Sequence, residues 1–395
     1  MLITSNDYLS SISKKSVISE GGTGNFSKLF SDFVVFKKNK WLGIIIEGDK
    51  TLKKVKKVKI NSDDKVFYKV LVPVKFFKLT HSSNNSLEKD FSQVILEIEK
   101  IFKKEKPDIV FLNGCYIKPW LMLMAAKNLG LPIVVQHAGL MVMEAEIFFK
   151  RKIIKKRTLK KLINMEADFS RYATKEIFLN KFSFKRYCEK VETADKGKSI
   201  IIPLPFWKLP IKKEKKLNNG VIKIGMVGRW DAIKRHEDYL NLAKSAKKKN
   251  KDWEFYSITS IPPTKKRINL KKDYRKNINV LAPMSKSELY KFYSEMDLMI
   301  LPSFFDVSPT VVLESAYMNT PTMISRGVGF IDDYKKNKLN YLITDFSNPD
   351  LAVKKVERAL ETPLPKKFFS ELIKKHDNRK VLSQYLKLFK LIIIK

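Results

Sequence analysis

The feature that most constrains the fold is the alternation of short apolar runs with helix-like stretches in the second half of the chain. VIKIGMVG (221–228) is a continuous apolar run ending in glycine, followed by a helical stretch from about His236 to Lys249. WEFYSIT and INVLAP are the next apolar runs, and SKSELYKFYSEM then opens with Ser285 and Glu288 three residues apart, a capping box. DLMILPS, PTMIS and YLITDF supply further strands, with one helix inside PSFFDVSPTVVLESAYMNTP and another over PDLAVKKVERALE. Strands that are apolar throughout, spaced by helices, belong to a parallel sheet covered on both faces.

The first half shows the same rhythm less regularly. GGTGNFSKLFSDFVVF reads as a Gly-rich turn feeding an amphipathic helix, while WLGIIIEG, VFYKVLVPV, DIVFLNG, LPIVVQH, KEIFLN and SIIIPLPF read as strands. SLEKDFSQVILEIEKIFKKEK is a long helix with Ile95, Ile98 and Phe102 as its inward stripe. A chain of 395 residues is too long for one comfortable core. We therefore expect an α/β protein of two doubly wound, Rossmann-like halves. The first domain spans 1–205, a Pro-, Lys- and Asn-rich linker spans 206–220, and the second domain spans 221–378. The apolar, basic helix at 379–395 is free to pack back on either domain.

Composition narrows the function. Hydrophobic residues make up 44% of the chain and aromatics 11%, which fits buried globular cores rather than disorder. Cys115 and Cys188 are the two cysteines, at unrelated spacing, so neither a disulfide framework nor a zinc site is expected. With no apolar window near 18 residues and no signal-like start, the reading is a cytoplasmic protein, soluble or peripheral on the inner face of the membrane. The 78 basic residues against 41 acidic ones leave a net charge of +37, which calls for an anionic partner or reflects a Lys-rich, AT-rich genome.

Two carboxylates, Asp306 and Glu314, stand within this positive chain with no Lys or Arg between them. Ser308 followed by Pro309 reads as an N-cap and the first helical residue. That would place the two acids roughly 9 Å apart along the axis, with a helix N-terminus between them that attracts anions. Either they are an ordinary turn residue and a solvated helix residue, or they grip an extended ligand with a phosphate in its middle. In VGRWDAIKRHEDYL, Gly228 and Arg229 follow a strand directly and Lys234 comes five residues later. Two cations at that spacing suit a diphosphate.

Together these segments resemble the retaining glycosyltransferases of the GT-B fold, the large group called family 4. That family carries a Gly-Arg, four-residue, Lys segment, then an acid and a Glu separated by seven residues, and a Gly-Gly loop near the N-terminus. GRWDAIK, Asp306 with Glu314, and GGTGNFSKLF match these in order, and LPIVVQHAGL falls where the family has a strand ending in His. The resemblance implies two Rossmann-like domains facing a central cleft, and it implies roles. Glu314 would bind the ribose hydroxyls and Asp306 the donor-sugar hydroxyls. The amides of Ser308, Thr310 and Val311 would face the sugar phosphate. Arg229 and Lys234 would neutralise the diphosphate leaving group, Gly22 would approach a phosphate, and His137 would stand beside the reacting sugar. The base would lie near Ala282–Met284. The donor would be a UDP-, GDP- or ADP-sugar, with no cofactor and no metal. The chain departs from the family in having Asp306 where Glu is usual, and Asn319 where Gly is usual.

KRKIIKKRTLKK (150–161), interleaved with Ile153, Ile154, Leu159, Leu162 and Ile163, is either a surface helix or an anchor on anionic lipid near a lipid-linked acceptor. The implied function is hexosyl transfer to a glycan or lipid-linked acceptor in cell-surface polysaccharide or glycolipid synthesis. The alternatives are a basic nucleic-acid-binding protein, a sugar-nucleotide epimerase of the same fold, or an inactive glycosyltransferase-like subunit. No nucleic-acid module is recognisable, and nucleic acid is not expected as a partner.

Overall fold

The computed structural model describes residues 1–7, 21–62, 64–76, 80, 86–210, 220–263, 267–365 and 367–394. The chain divides into two compact units, Met1–Pro205 with Arg379–Lys395, and Phe206–Asn378.

The first unit is built on an eight-stranded sheet. Its strands are β1 (Leu2–Asn6), β2 (Lys40–Asp49), β3 (Lys56–Ser62), β4 (Lys65–Pro73), β5 (Ile109–Asn113), β6 (Ile133–His137), β7 (Lys175–Phe178) and β8 (Ser199–Ile201). Their order is β3-β4-β2-β1-β5-β6-β7-β8, with every pair parallel except the β3–β4 hairpin. The strand order reverses between β1 and β5. GGTG, read as a turn, is instead the start of the helix Gly21–Phe36. Each glycine costs a helix about 1 kcal/mol against alanine; burying Phe26, Phe30 and Val34 on one face of this helix outweighs that. The helix Ser92–Glu105 buries Ile95, Ile98 and Phe102 as its spacing predicts. The helix Asn378–Ile393 belongs, from Arg379 on, to this first unit. Its Tyr385 and Phe389 meet Phe30 and Phe111 at ring separations of 5.4 to 6.0 Å.

The second unit holds six parallel strands: β9 (Ile222–Val227), β10 (Trp253–Ile258), β11 (Asn279–Leu281), β12 (Leu298–Leu301), β13 (Thr322–Ser325) and β14 (Ile343–Thr344). Their order is β11-β10-β9-β12-β13-β14, so the direction of winding changes between β9 and β12. Register pairs Leu298 with Ile224 and Met299 with Gly225 across that switch. The capping box forms as expected: the Ser285 hydroxyl accepts from the Glu288 amide, and the Glu288 carboxylate accepts from the Ser285 amide at 2.8 Å. Asn319 closes the helix Thr310–Tyr317 at φ 64°, a left-handed conformation that asparagine tolerates.

The expected linker needs one correction. Phe206 is buried in the core of the second unit. Its amide donates to the carbonyl of His376 at 2.8 Å, and Tyr317 donates to the carbonyl of Leu209 at 2.8 Å. The start of that Pro-rich stretch is therefore part of the domain it precedes, and residues 211–219 lie outside the described ones.

Candidate functional site

In open α/β sheets ligands bind beyond the carboxyl ends of the strands, where the order reverses. In the second unit that place lies between the loops that follow β9 and β12. The first loop carries Arg229 and Lys234, the second Asp306, and the helix after it Glu314.

The loop after β9 is held by its own side chains. Asp231 Oδ1 accepts from the amides of Ile233 and Lys234, both at 3.0 Å. The His236 imidazole bridges outward. Nε2 donates to the Arg229 carbonyl at 2.9 Å and Nδ1 accepts from the Tyr274 hydroxyl at 3.0 Å. A carbonyl accepts only, so the proton sits on Nε2. Trp230 stacks on this ring at 4.6 Å. Burial pushes the His236 pKa down to about 4, only partly offset by the hydrogen bond to the Arg229 carbonyl. With its backbone fixed in this way, the Arg229 side chain is 77% exposed, 3.3 Å from Asp231.

The loop after β12 is tied to both neighbours. Phe304 donates its amide to the Ile233 carbonyl at 2.8 Å, joining the two loops. Asp306 donates its amide to the Gly327 carbonyl at 3.0 Å and accepts from the Gly329 amide at 2.8 Å. The approach requires a glycine: a Cβ on Gly327 would lie 1.9 Å from the Phe304 carbonyl oxygen. The Asp306 carboxylate is paired with the Lys234 ammonium, both groups mostly shielded from solvent. The acid expected to keep its oxygens open for hydroxyls thus already shares one with a cation of the opposite loop.

The helix start also differs from expectation. Pro309, not Ser308, occupies the cap position, with ψ 123° and no side-chain hydrogen bond, and the helix runs Thr310–Tyr317. The Pro309 carbonyl accepts from the Val312 amide at 3.2 Å. Among the described residues the Ser308 hydroxyl is buried without a hydrogen-bond partner. The first turn therefore has no capping side chain, and the unsatisfied amide dipoles of such a turn favour an anion. Glu314, 6% exposed, accepts at 2.9 Å from the Tyr293 hydroxyl and lies 3.6 Å from Lys286. Tyr293 is fully buried, and both burial and the Glu314 charge hold its hydroxyl protonated. Beyond β10 and β11 a cavity of about 380 Å³ is lined by residues including Thr259, Arg275, Leu281 and Ala282, which takes in the first of the positions expected at the base.

Seven of the expected site residues (Arg229, Lys234, Asp306, Ser308, Thr310, Val311 and Glu314) thus lie on the two loops and the helix flanking one switch point. The other two belong to the first unit. Gly22 falls in the first turn of the helix Gly21–Phe36. His137 ends β6 but is wholly buried: Nε2 is 2.9 Å from Glu176, Nδ1 is 3.2 Å from the Cys115 sulfur, and the ring stacks on Phe178 at 4.3 Å. Its ring has no exposed atom. Sequence reasoning missed Tyr293 and Lys286 on Glu314, and Asp231, His236 and Tyr274 behind Arg229. Asp231 and Lys234 lie in the eight-residue loop 228–235 and His236 opens the helix that follows it, a signal legible in sequence; Tyr274 and Tyr293 are brought in by tertiary packing alone.

The site defines a doubly wound domain with an anion-receptive switch point, in a chain of the two-domain GT-B architecture. Residues 208–378, the second unit, match the family model of "Glycosyl transferases group 1". No curated protein matches the chain. Among solved structures, it is similar to sucrose-phosphate synthase from Thermosynechococcus elongatus at TM-score 0.74 and 13% identity, over 100% of this chain and 99% of that one. An Escherichia coli structure described as trehalose-6-phosphate bound with UDP-2-fluoro glucose gives TM-score 0.68 and 12% identity, over 98% of each chain. A UDP-forming alpha,alpha-trehalose-phosphate synthase from Burkholderia xenovorans in complex with glucose-6-phosphate gives 0.67 and 10%, over 98% of this chain and 99% of that one. These likenesses establish the fold: two Rossmann-like domains built on parallel sheets.

Proposed function

We propose that the protein is a retaining glycosyltransferase of family 4, moving a hexosyl group from a nucleoside-diphosphate sugar to a glycan or lipid-linked acceptor. The observation that carries this is the convergence at the β9/β12 switch point of an exposed guanidinium (Arg229), the Lys234–Asp306 pair and a helix start without a capping side chain. Those are the charges a departing diphosphate needs. The family model over the same unit supports the donor class, and the ligands of the neighbours, UDP-2-fluoro glucose and glucose-6-phosphate, agree with it.

In this reading the bond between the anomeric carbon and the diphosphate oxygen breaks with its electron pair going to the leaving group. Arg229, Lys234 and the amides of Ser308, Thr310 and Val311 meet that charge, so the transfer step requires no divalent cation and no cofactor. Glu314, steadied by Tyr293, receives the ribose hydroxyls, and Asp306 the sugar hydroxyls. The acceptor oxygen attacks the same face, and its proton leaves to the departing diphosphate, which retains the anomeric configuration. A nucleotide screen by thermal unfolding tests the donor class. One of UDP, GDP or ADP should raise the transition, by about 2.7 kcal/mol at a hundredfold excess over Kd, and Glu314→Ala should remove the effect. Indifference to all three would overturn the reading.

The same proposal places the protein in the cytoplasm, at the inner face of the membrane. Among the described residues no helix is long and apolar enough to cross a bilayer. The junction between the helices Met141–Lys150 and Lys156–Tyr172 exposes Phe149 and Ile153 beside Lys150, Arg151, Lys152 and Lys155. Apolar side chains ringed by lysine and arginine suit an anionic lipid surface. The protein should pellet with anionic vesicles at low salt and stay in solution with neutral ones; equal recovery in both would count against membrane docking.

A further inference from the structure

The first unit contains a closed cluster that the proposed transfer reaction does not use. Cys115 follows β5, His137 ends β6 beside it, and Glu166 reaches in from the helix Lys156–Tyr172. The Cys115 sulfur lies 3.2 Å from His137 Nδ1, and Glu166 Oε1 lies 4.0 Å from the same nitrogen. All three donor atoms fall within 4.8 Å of one another, on residues no more than 2% exposed.

Two details indicate what the cluster is for. The first is Glu166. Its Oε2 accepts from the Val142 amide, whereas Oε1 is buried and, among the described residues, has no hydrogen-bond partner. A buried carboxyl oxygen without a hydrogen-bond partner is costly, and this one faces the histidine and the thiol. The second is the far side of the ring. His137 Nε2 faces Glu176 Oε1 at 2.9 Å, and the Glu176 carboxylate also accepts from the Tyr187 hydroxyl at 3.0 Å and from Ser170 at 3.3 Å. Tyr187 and Ser170 both donate to Glu176, and an Nε2 proton given to the same carboxyl group leaves the lone pair of Nδ1 facing Cys115 and Glu166. An imidazole held by a carboxylate on one nitrogen, with a thiol and a second carboxyl group facing the other, is the usual arrangement of a metal-bound histidine. Phe178 stacked at 4.3 Å and Tyr187 at 4.5 Å hold the ring in that plane.

We propose that Cys115, His137 and Glu166 form a zinc site, with Glu176 orienting the histidine. One thiolate, one imidazole and one carboxylate are zinc donors; calcium and magnesium take oxygen sets. The thiolate and carboxylate together balance the charge of a divalent cation, so the loaded cluster is neutral and suited to a dry interior. Loading replaces two ligand protons, which pass to solvent. The ion ties the ends of β5 and β6 to the helix Lys156–Tyr172 and, through the Glu166–Val142 bond, to the start of the helix Met141–Lys150. Cysteine spacing concealed this set because it contains a single cysteine, with its partners 22 and 51 positions further on.

Cobalt(II) tests the site directly, since thiolate ligation gives a charge-transfer absorption. The full chain, produced in cells grown with cobalt(II), should carry one ion per chain and show this band, and should carry one zinc when grown with zinc(II). The chain has two cysteines, so the assignment is decisive: Cys188→Ala should keep the band and Cys115→Ala should lose it. Glu176→Gln should weaken zinc retention against a chelator about 10- to 100-fold while keeping the band. A folded wild-type chain without metal or without a thiolate band overturns the proposal, as does a band that disappears in Cys188→Ala. These two readouts hold even if Cys115→Ala does not fold.

Discussion

Replacing Lys234 with alanine should lower turnover about 10²- to 10³-fold while leaving the second unit folded, the scale expected for losing one preorganised group that meets charge developing in a transition state. Lys234 is pinned at its amide by Asp231, and its ammonium is shared with Asp306 across the switch point. A diphosphate arriving there brings a second anion to the same cation, and that anion grows more negative as the sugar departs. The interaction therefore strengthens along the reaction, and its loss should appear in kcat more than in KM. Arg229→Ala should act in the same direction. A structural explanation is separable, because Lys234→Ala also strips Asp306 of its counter-ion. The double variant Lys234→Ala/Asp306→Asn removes that unpaired charge and should recover thermal stability without recovering turnover. Full turnover in Lys234→Ala, measured with the nucleotide sugar that the thermal screen selects, would sink the assignment.

Why this site could be read from sequence, and parts of it could not, follows from where each residue gets its position. Arg229, Lys234, Asp306 and Glu314 sit within a few residues of strands that are buried on both faces, and such strands appear as unbroken apolar runs. Once IKIGMV and LMIL are recognised as adjacent parallel strands, their following loops fall at the switch point without further information. The strands that escaped reading did so for the opposite reason. β3 (KKVKINS) is an edge strand whose lysines face solvent, the usual protection of an open edge, and it carries no apolar run to detect. β1 is central and buried but only five residues long. The Ser308–Pro309 cap was misplaced by one residue because proline satisfies either position locally. Pro309 keeps an extended ψ of 123°, and Asp306 three residues before it is tied to Gly327 and Gly329 by long-range bonds that sequence does not show. Tyr293, Tyr274 and Glu166 belong to the same class: each is an ordinary helical residue in sequence whose role is created by what the fold packs against it.

Acidification should loosen the second unit through His236. Its imidazole is 4% exposed and its pKa is pushed down to about 4 by burial, against an unfolded value near 6.5. The sign follows from proton counting. Between pH 6.5 and 4 the unfolded chain binds a proton that the folded one refuses, so stability is full above pH 6.5 and declines as pH falls toward 4. The whole loss is roughly 3 kcal/mol, of which about 2 kcal/mol falls between pH 7 and pH 5. The chemistry behind it is specific. Protonated Nδ1 could no longer accept from Tyr274, while Nε2 would keep its bond to the Arg229 carbonyl, so the strain enters at the loop that carries Arg229 and Lys234. Carboxylates titrate in the same range, and subtraction isolates the histidine: the difference in stability between wild type and His236→Gln, measured by urea unfolding, should change by about 2 kcal/mol from pH 7 to pH 5. Hydrogen-exchange protection in the helix His236–Lys248, taken relative to the intrinsic exchange rate at each pH, should fall over the same interval in the wild type alone. A difference that stays constant with pH would show that this imidazole titrates alike in the folded and unfolded chains, and would remove its burial as the support of the Arg229 backbone.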